Sequence, residues 1–395
     1  MLHVTSSGRR GGVAITLGGM FPERTKAPAG RIRHPERGDL ARRVGGALFF
    51  LSLALGTVPS AAAQEMSDRL VINGYTNFEF SKQLSKDGKG DKNGSFDADQ
   101  FDLVLNVSVS ERVRVAADLS WEHGTATEDG YGNQALEYGF VEYAVSDLLK
   151  LRFGKMFTPF GVFNEIHTAK PAFLTVKEAA SLNKNDRIVG GGFLFYPRWG
   201  AGIAAHGDAV ISGKDVSYDV LVANGAQQDA NPFEEDENGA KSVTARIRVD
   251  ATESLRLGYS FYRDRPSAEG VATLQSHGFE GELSLAKFRI QGEVAFGTLT
   301  SRNGGTQRQL GWYVQPSYHL RHGWTPYLRL DYVNPNRRLT DVGGRDLIVG
   351  VNVELSKNFQ LKVENNDFRG GSKSTLGQYA GKGYHELKAA LVLGF

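Results

Sequence analysis

The chain has 395 residues, with 46 Lys and Arg, 44 Asp and Glu, 48 Gly and no Cys. It contains no run of about 20 apolar residues, which excludes a bundle of membrane-spanning helices. Its His residues are scattered and show no metal-ligand spacing, so we expect no metal, no cofactor and no enzyme activity.

The first 64 residues differ from the rest. Residues 1–40 are polar, Arg-rich and unpatterned, which is typical of a disordered leader or a start codon placed too early. Residues 41–64 predict a signal peptide, because Arg42 and Arg43 precede an apolar run that ends in small residues near Ala63. Its removal leaves 37 basic and 41 acidic residues, a net charge of about −4. We therefore expect Sec-type export and no nucleic-acid partner.

Residues 65–395 alternate apolar and polar side chains, the two-residue period of β-strands. In 253–264, for example, Leu257 and Phe261 face one way while Arg256 and Ser260 face the other. The predicted strands are 69–82, 97–109, 111–123, 134–146, 148–156, 199–210, 214–224, 241–251, 253–264, 274–285, 287–299, 307–320, 323–334, 344–355, 358–368 and 383–395.

The connections between these strands alternate between short and long. Ser110 and Asp147 mark short ones, whereas 83–96 and 225–240 are long and polar. A soluble sandwich has the same strand period, but here the polar face carries charges on nearly every strand, as the wall of a water-filled lumen does. The pattern predicts an all-β fold. Residues 65–395 would form a transmembrane antiparallel β-barrel of about 16 strands in a bacterial outer membrane.

The third long connection, 157–198, contains about forty residues without a clear strand. Its Ala/Leu/Lys-rich piece, 173–184, suggests a short helix. A barrel of this size needs something to narrow its lumen, so we expect the connection to fold inward as a constriction loop. The residues that we expect to line the constriction are Glu165, His167, Lys170, Lys177, Glu178, Lys184, Asp186 and Arg187.

Several basic side chains occupy strand positions that the alternation places toward the lumen, so we expect positive charge on the pore wall. About as many acids face inward, and opposed rows of charge would create a transverse field across the pore. The alternative is that these charges only hydrate the lumen and pair along the strands. The predicted basic wall residues are Arg112, Arg114, Arg152, Arg246, Arg248 and Arg256.

Three segments resemble the phosphate-selective porin (porin O/P-like) family: LRFGKMFTPFGVFNE at 151–165, FYPRWGAG at 195–202, and the closing Leu393-Gly394-Phe395. The resemblance implies a 16-stranded outer-membrane porin, usually a homotrimer. It also implies that the barrel assembly machinery reads Phe395, and that lipid and lipopolysaccharide surround the barrel.

We therefore expect a channel for passive diffusion of small hydrophilic solutes, with a mild preference for anions. Two alternatives remain open. One is a channel selective for phosphate or another oxyanion, and the other is a non-conducting barrel that displays its surface loops.

Overall fold

The computed structural model describes residues 69–84, 92–123, 133–166, 169–179, 181–182, 195–225, 236, 239–267, 270–374 and 383–395. These residues form sixteen strands. They are β1 Leu70–Gln83, β2 Ser95–Ser108, β3 Val113–Glu122, β4 Asn133–Ser146, β5 Leu149–Phe157, β6 Trp199–Ile211, β7 Lys214–Asn224, β8 Lys241–Thr252, β9 Leu255–Asp264, β10 Val271–Leu285, β11 Phe288–Ser301, β12 Thr306–Tyr318, β13 Trp324–Asn334, β14 Gly344–Ser356, β15 Phe359–Gly370 and β16 Tyr384–Gly394.

Each strand pairs antiparallel with its neighbours in sequence, and β1 pairs with β16 to close the barrel. The closing register runs from Tyr75 opposite Gly394 to Gln83 opposite Glu386. Closure leaves no unpaired strand edge, which a sheet in lipid requires. The predicted barrel of 16 strands is confirmed, with strand ends within three residues of those expected.

The two rims of the barrel differ as the sequence predicted. One rim carries two-residue turns such as 286–287 and 357–358, and we call it the short-turn rim. The opposite rim carries the longer connections, including 158–198, and we call it the long-loop rim. Ala286 and Asn358 have positive φ values of 51° and 64°, the left-handed conformation that tight hairpin turns need.

The outer surface of the barrel is apolar and the inner surface polar. On β14, Leu347 and Val349 are exposed while Asp346 on the opposite face is buried. On β9, Leu257 is exposed while Ser260 is buried. A continuous exposed apolar band of this kind is found on proteins that contact lipid.

Helical structure in the described part of the chain is short. It comprises α1 Phe163–Ile166 and 3₁₀ turns at Lys170–Ala172 and Arg321–Gly323. No helix among the described residues is long and apolar enough to cross a membrane. The helix suggested at 173–184 is wrong for its described residues, which form bends and turns. Side chains of the barrel wall bind the carbonyls of this segment, so its backbone does not form a helical ladder.

Candidate pore and its constriction

The third long connection lies inside the barrel and packs one apolar face against the wall. Phe163 is fully buried, with ring centroids 5.6 Å from Phe173 and 5.3 Å from Tyr313 of β12. Phe160 stacks on Tyr196 at 4.3 Å. These aromatic side chains join one buried cluster with residues of the wall. The expected inward fold of the loop is confirmed.

Glycines in the wall make room for these aromatic rings. A Cβ atom at Gly278 of β10 would lie 2.6 Å from the ring of Phe160. A Cβ atom at Gly311 of β12 would lie 2.9 Å from the ring of Phe195 and 2.6 Å from the carbonyl oxygen of Ser181. Part of the high glycine content of the strands is therefore required by the loop rather than by the sheet.

A buried lysine of the wall fastens the loop from one side. Lys362 of β15 has no exposed surface, and its ammonium group donates to three loop carbonyls. The acceptors are Lys170 at 2.6 Å, Phe173 at 2.5 Å and Thr175 at 3.2 Å. The ammonium group also lies 4.7 Å from the centre of the Phe173 ring. An ammonium group has three donors, and here all three are directed at the loop backbone.

Arg329 of β13 fastens the next part of the loop. Its guanidinium donates to the hydroxyl of Thr175 at 3.0 Å and to the carbonyl oxygens of Lys177 at 3.1 Å and Glu178 at 3.2 Å. Asp331 on the same strand accepts from the backbone N–H of Ser181 at 3.1 Å. These charge-assisted hydrogen bonds hold the backbone of Lys177, Glu178 and Ser181 against the wall.

Arg246 of β8 fastens the beginning of the loop. It donates to the carbonyl oxygen of Gly161 at 3.0 Å and to the carboxylate of Glu165 at 2.8 Å. It also contacts Asp219 of β7 at 2.9 Å. Its side chain is 1% exposed, so this predicted wall residue lies under the loop and serves as an anchor.

The loop lysines contact acids on β1 and β2, beyond β16 from the anchoring strand β15. Lys177 lies 3.0 Å from Glu79 of β1 and 2.5 Å from Asp99 of β2, and Lys170 lies 3.5 Å from Asp99. Burial by itself lowers the pKa of Lys177, but the attraction of Glu79 and Asp99 outweighs it, so the pKa of Lys177 lies above its ordinary value. Lys177 is therefore charged at neutral pH and ties the loop to β1 and β2.

Two other charged residues of the loop pair with each other. Glu178 accepts a hydrogen bond from Arg198 at 2.6 Å, immediately before β6 begins. Both residues line a cavity of about 290 Å³, together with Lys177 and Glu122. This ion pair connects the middle of the loop to its C-terminal end.

An exposed basic cluster lies on the stretch of wall formed by β3 to β6. Glu142 of β4 accepts hydrogen bonds from Arg114 at 3.0 Å and Arg152 at 2.6 Å, and it lies 2.9 Å from His206. The Glu142 side chain is 10% exposed, whereas Arg114 and Arg152 are 39% and 25% exposed. Solutes in the lumen therefore meet guanidinium groups rather than the carboxylate.

This basic cluster and the loop share one cavity of about 220 Å³, which is lined by Arg114, Arg152 and Glu165 among others. Two guanidiniums around the Glu142 carboxylate leave a formal excess of one positive charge. Across the cavity, Glu165 and Asp219 share the single guanidinium of Arg246, an excess of one negative charge. We call this cavity the constriction, and the two excesses of charge beside it are opposite in sign.

The remaining predicted wall residues lie away from the constriction. Arg112 is exposed in the connection before β3. Arg248 and Arg256 line a cavity near the short-turn rim, where Arg256 pairs with Asp250 at 2.6 Å. Within the loop, His167, Lys184, Asp186 and Arg187 lie outside the described residues, as do the predicted leader and signal peptide.

Phe395 completes the pairing of β16 with β1. Its backbone exchanges two hydrogen bonds of 2.8 Å with Gly74. Its exposed ring lies 6.0 Å from that of Phe101 on the outer surface. This position leaves the aromatic ring accessible from outside the barrel.

Sequence reasoning missed the acids that organise the site. Glu142 collects the two guanidiniums of the constriction, and Glu79 and Asp99 hold Lys177. The strand period places Arg329 and Lys362 on the inward face, but it gives no sign that the loop covers them. Only the position of the loop distinguishes an anchoring base from one that lines the pore.

Comparison of the sequence with known proteins gives a partial match. No protein-family model matches the chain. An uncharacterized protein of Aquifex aeolicus (strain VF5) is 25% identical over 224 residues, a match that spans 52% of this chain and 47% of that protein.

Solved structures cover more of the chain. An anion-selective porin from Comamonas acidovorans has a TM-score of 0.59 at 12% identity, covering 82% of this chain and 99% of that chain. Salmonella typhi OmpF in complex with daunomycin has a TM-score of 0.58 at 10% identity, covering 82% and 97%. The trimer form of OmpT, an outer membrane protein of Vibrio cholerae, has a TM-score of 0.55 at 12% identity, covering 82% and 99%.

The chain therefore has the fold of the outer-membrane porins: a closed antiparallel barrel of 16 strands with a long loop folded into its lumen.

Proposed function

We propose that this protein is a bacterial outer-membrane porin that lets small hydrophilic solutes diffuse passively through its lumen. The observation that carries the proposal is the constriction, where the partly exposed guanidiniums of Arg114 and Arg152 share a cavity with the loop carboxylate Glu165. A pore that conducts must bind its solutes weakly enough to release them, and side chains already paired with protein charges satisfy that condition.

A mild preference for anions is the finer part of this proposal. The basic side chains at the constriction are more exposed than the Glu142 carboxylate that they surround. Anions passing close to that wall therefore meet an attractive potential at short range, where salt screens it least. The excess of negative charge on the loop side keeps the preference small.

The cellular setting belongs to the same proposal. The exposed apolar band supports insertion in an outer membrane, surrounded by lipid and lipopolysaccharide, after Sec-type export. The accessible ring of Phe395 supports its reading by the barrel assembly machinery. The trimer form among the similar structures supports a homotrimer. The charged side chains of the constriction are engaged in ion pairs, which supports a passive channel rather than an enzyme.

Liposome swelling with graded neutral sugars and planar-bilayer reversal potentials in a salt gradient test the proposal. We expect small sugars to enter faster than large ones. We also expect a reversal potential whose sign shows that anions permeate more readily than cations. A cation-selective reversal potential would overturn the anion preference. Block of chloride current by low phosphate concentrations would favour the phosphate-selective alternative, and liposomes that do not swell would favour a non-conducting barrel.

A further inference from the structure

The outer face of the barrel carries a band of arginines at the long-loop rim between β9 and β15. Four of them occupy outward-facing positions near strand ends, and two more lie in the connection between β13 and β14. All six are exposed, and we call them the arginine band. Its members are Arg263, Arg308, Arg337, Arg338, Arg345 and Arg369.

The strand register brings two of these arginines directly opposite each other. Arg345 of β14 pairs with Arg369 of β15. Like charges at directly opposed positions of an antiparallel pair destabilise the sheet. Arg369 is compensated by Asp367 at 2.7 Å, but the Arg345 side chain makes no hydrogen bond or ion pair with the residues that the structure describes. Two positive charges therefore lie together, and only the charge of Arg369 is compensated by a carboxylate.

A second pair of arginines lies on β12 and in the connection between β13 and β14. The backbone N–H of Arg337 donates to the carbonyl oxygen of Arg308 at 2.7 Å, which places the two residues side by side. The Arg308 side chain has no hydrogen-bonding or ionic partner among the residues described by the structure. Among the described residues of this stretch of rim exposed acids are scarce, and Asp341 is the exposed carboxylate of the connection 335–343. The band is therefore a region of net positive charge.

The surface beside the arginine band indicates what kind of molecule binds there. Arg345 shares its outward face with Leu347 and Val349, and Arg308 shares its face with Trp312, whose ring lies 5.9 Å from that of Tyr332. An anion moving toward the pore would approach the lumen, whereas these guanidiniums point away from it. A molecule that combines phosphate groups with acyl chains would bind both surfaces at once.

We propose that the arginine band is a binding site for the phosphorylated headgroup of an outer-leaflet glycolipid. Arg345 and Arg369 would grip one phosphate from two strands, since planar guanidinium groups match phosphate oxygens with paired hydrogen bonds. The acyl chains of the lipid would lie on the apolar face of β12 to β14. The inference rests on the outer-membrane location in the proposed function, but it does not require that the barrel conducts.

The test measures binding of bisphosphorylated lipid A to the purified full-length protein in detergent. Arg345→Ser/Arg369→Ser should bind lipid A at least about tenfold more weakly than the unaltered protein, because two charge-assisted contacts to phosphate are lost. The control, Arg321→Ser/Lys357→Ser, removes two exposed positive charges from the short-turn rim and should bind normally. Equal binding by both double variants would overturn the proposal.

Two further arms distinguish the source of the phosphate. Dephosphorylated lipid A should bind weakly, and millimolar inorganic phosphate should not displace lipid A. Displacement by inorganic phosphate would show a site for free anions and would overturn the lipid assignment. Loss of conductance with intact lipid binding would count against the proposed function alone.

A single variant guards against misfolding of the double variant. Without lipid, Arg345→Ser should unfold at the same temperature as the unaltered protein or a higher one, since it relieves the repulsion of Arg369. With lipid A present, its gain in unfolding temperature should be less than half that of the unaltered protein. An equal gain in both proteins would contradict the proposal.

Discussion

Removal of the lysine that anchors the loop is the most informative perturbation of the pore. Lys362→Met keeps a long unbranched side chain on β15 but removes the three donors that bind the carbonyls of Lys170, Phe173 and Thr175. A buried acceptor that loses its donor costs about 1–3 kcal/mol, so the loop attachment should weaken by about 3 kcal/mol or more in this segment. Such a change alters an equilibrium constant by a factor of about 150.

The barrel itself should survive this change, because the strand ladder contributes its own backbone hydrogen bonds. Residues 170–174 should loosen from the wall while the contacts of Arg329 keep Thr175, Lys177 and Glu178 in place. We therefore expect a larger single-channel conductance and entry of larger sugars in liposome swelling. Lys357→Met, at an exposed short turn, is the matched control and should conduct as the unaltered protein does. Unchanged conductance and size exclusion in Lys362→Met would refute the anchoring role.

Three further predictions concern other residues of the wall and the loop. In Gly278→Ala the added Cβ atom would collide with the ring of Phe160. We expect a lower unfolding temperature if the ring stays in place, or a higher conductance if the loop moves away. Thermal unfolding and bilayer recording measure these two outcomes. Arg152→Gln should move the reversal potential toward cations by removing one positive charge from the constriction, while Arg321→Gln at the short-turn rim should leave it unchanged. The raised pKa of Lys177 means that its ion pairs stabilise the loop below the ordinary lysine pKa and are lost as pH rises through the higher folded value. Conductance should thus stay constant from about pH 7 to about pH 10, and a step near neutral pH would contradict that assignment.

The strand pattern was sufficient to predict the barrel. Alternation such as Leu347 and Val349 against Asp346 fixes both the strand and the face it turns outward, because a sheet in lipid tolerates charges only on the lumen side. Tight turns at residues such as Ala286 mark where one strand ends and the next begins, so the strands can be counted and the count is 16.

The candidate site was less predictable, for a physical reason. Arg114, Arg246 and Lys362 have the same inward phase, yet the first is exposed in the lumen and the other two are buried under the loop. Which base the loop covers depends on contacts between residues far apart in sequence, such as Arg246 with Glu165 and Lys362 with Phe173. Periodicity within a strand contains no information about those contacts.

The role of aromatic residues in the loop was also hidden from the sequence. Phe160 and Phe163 look like surface-loop aromatics until Gly278 and Tyr313 are seen to receive them. A glycine in a strand interior that opposes a loop aromatic is the signal that a sequence search could use.

Bilayer recording of the unaltered protein beside a variant lacking residues 166–184 tests most directly whether the loop sets the width of an open, water-filled pore. We expect discrete conducting steps from the unaltered protein and distinctly larger steps from the deletion variant. An unaltered protein without conducting steps, or a deletion variant with the same step size, would contradict the account.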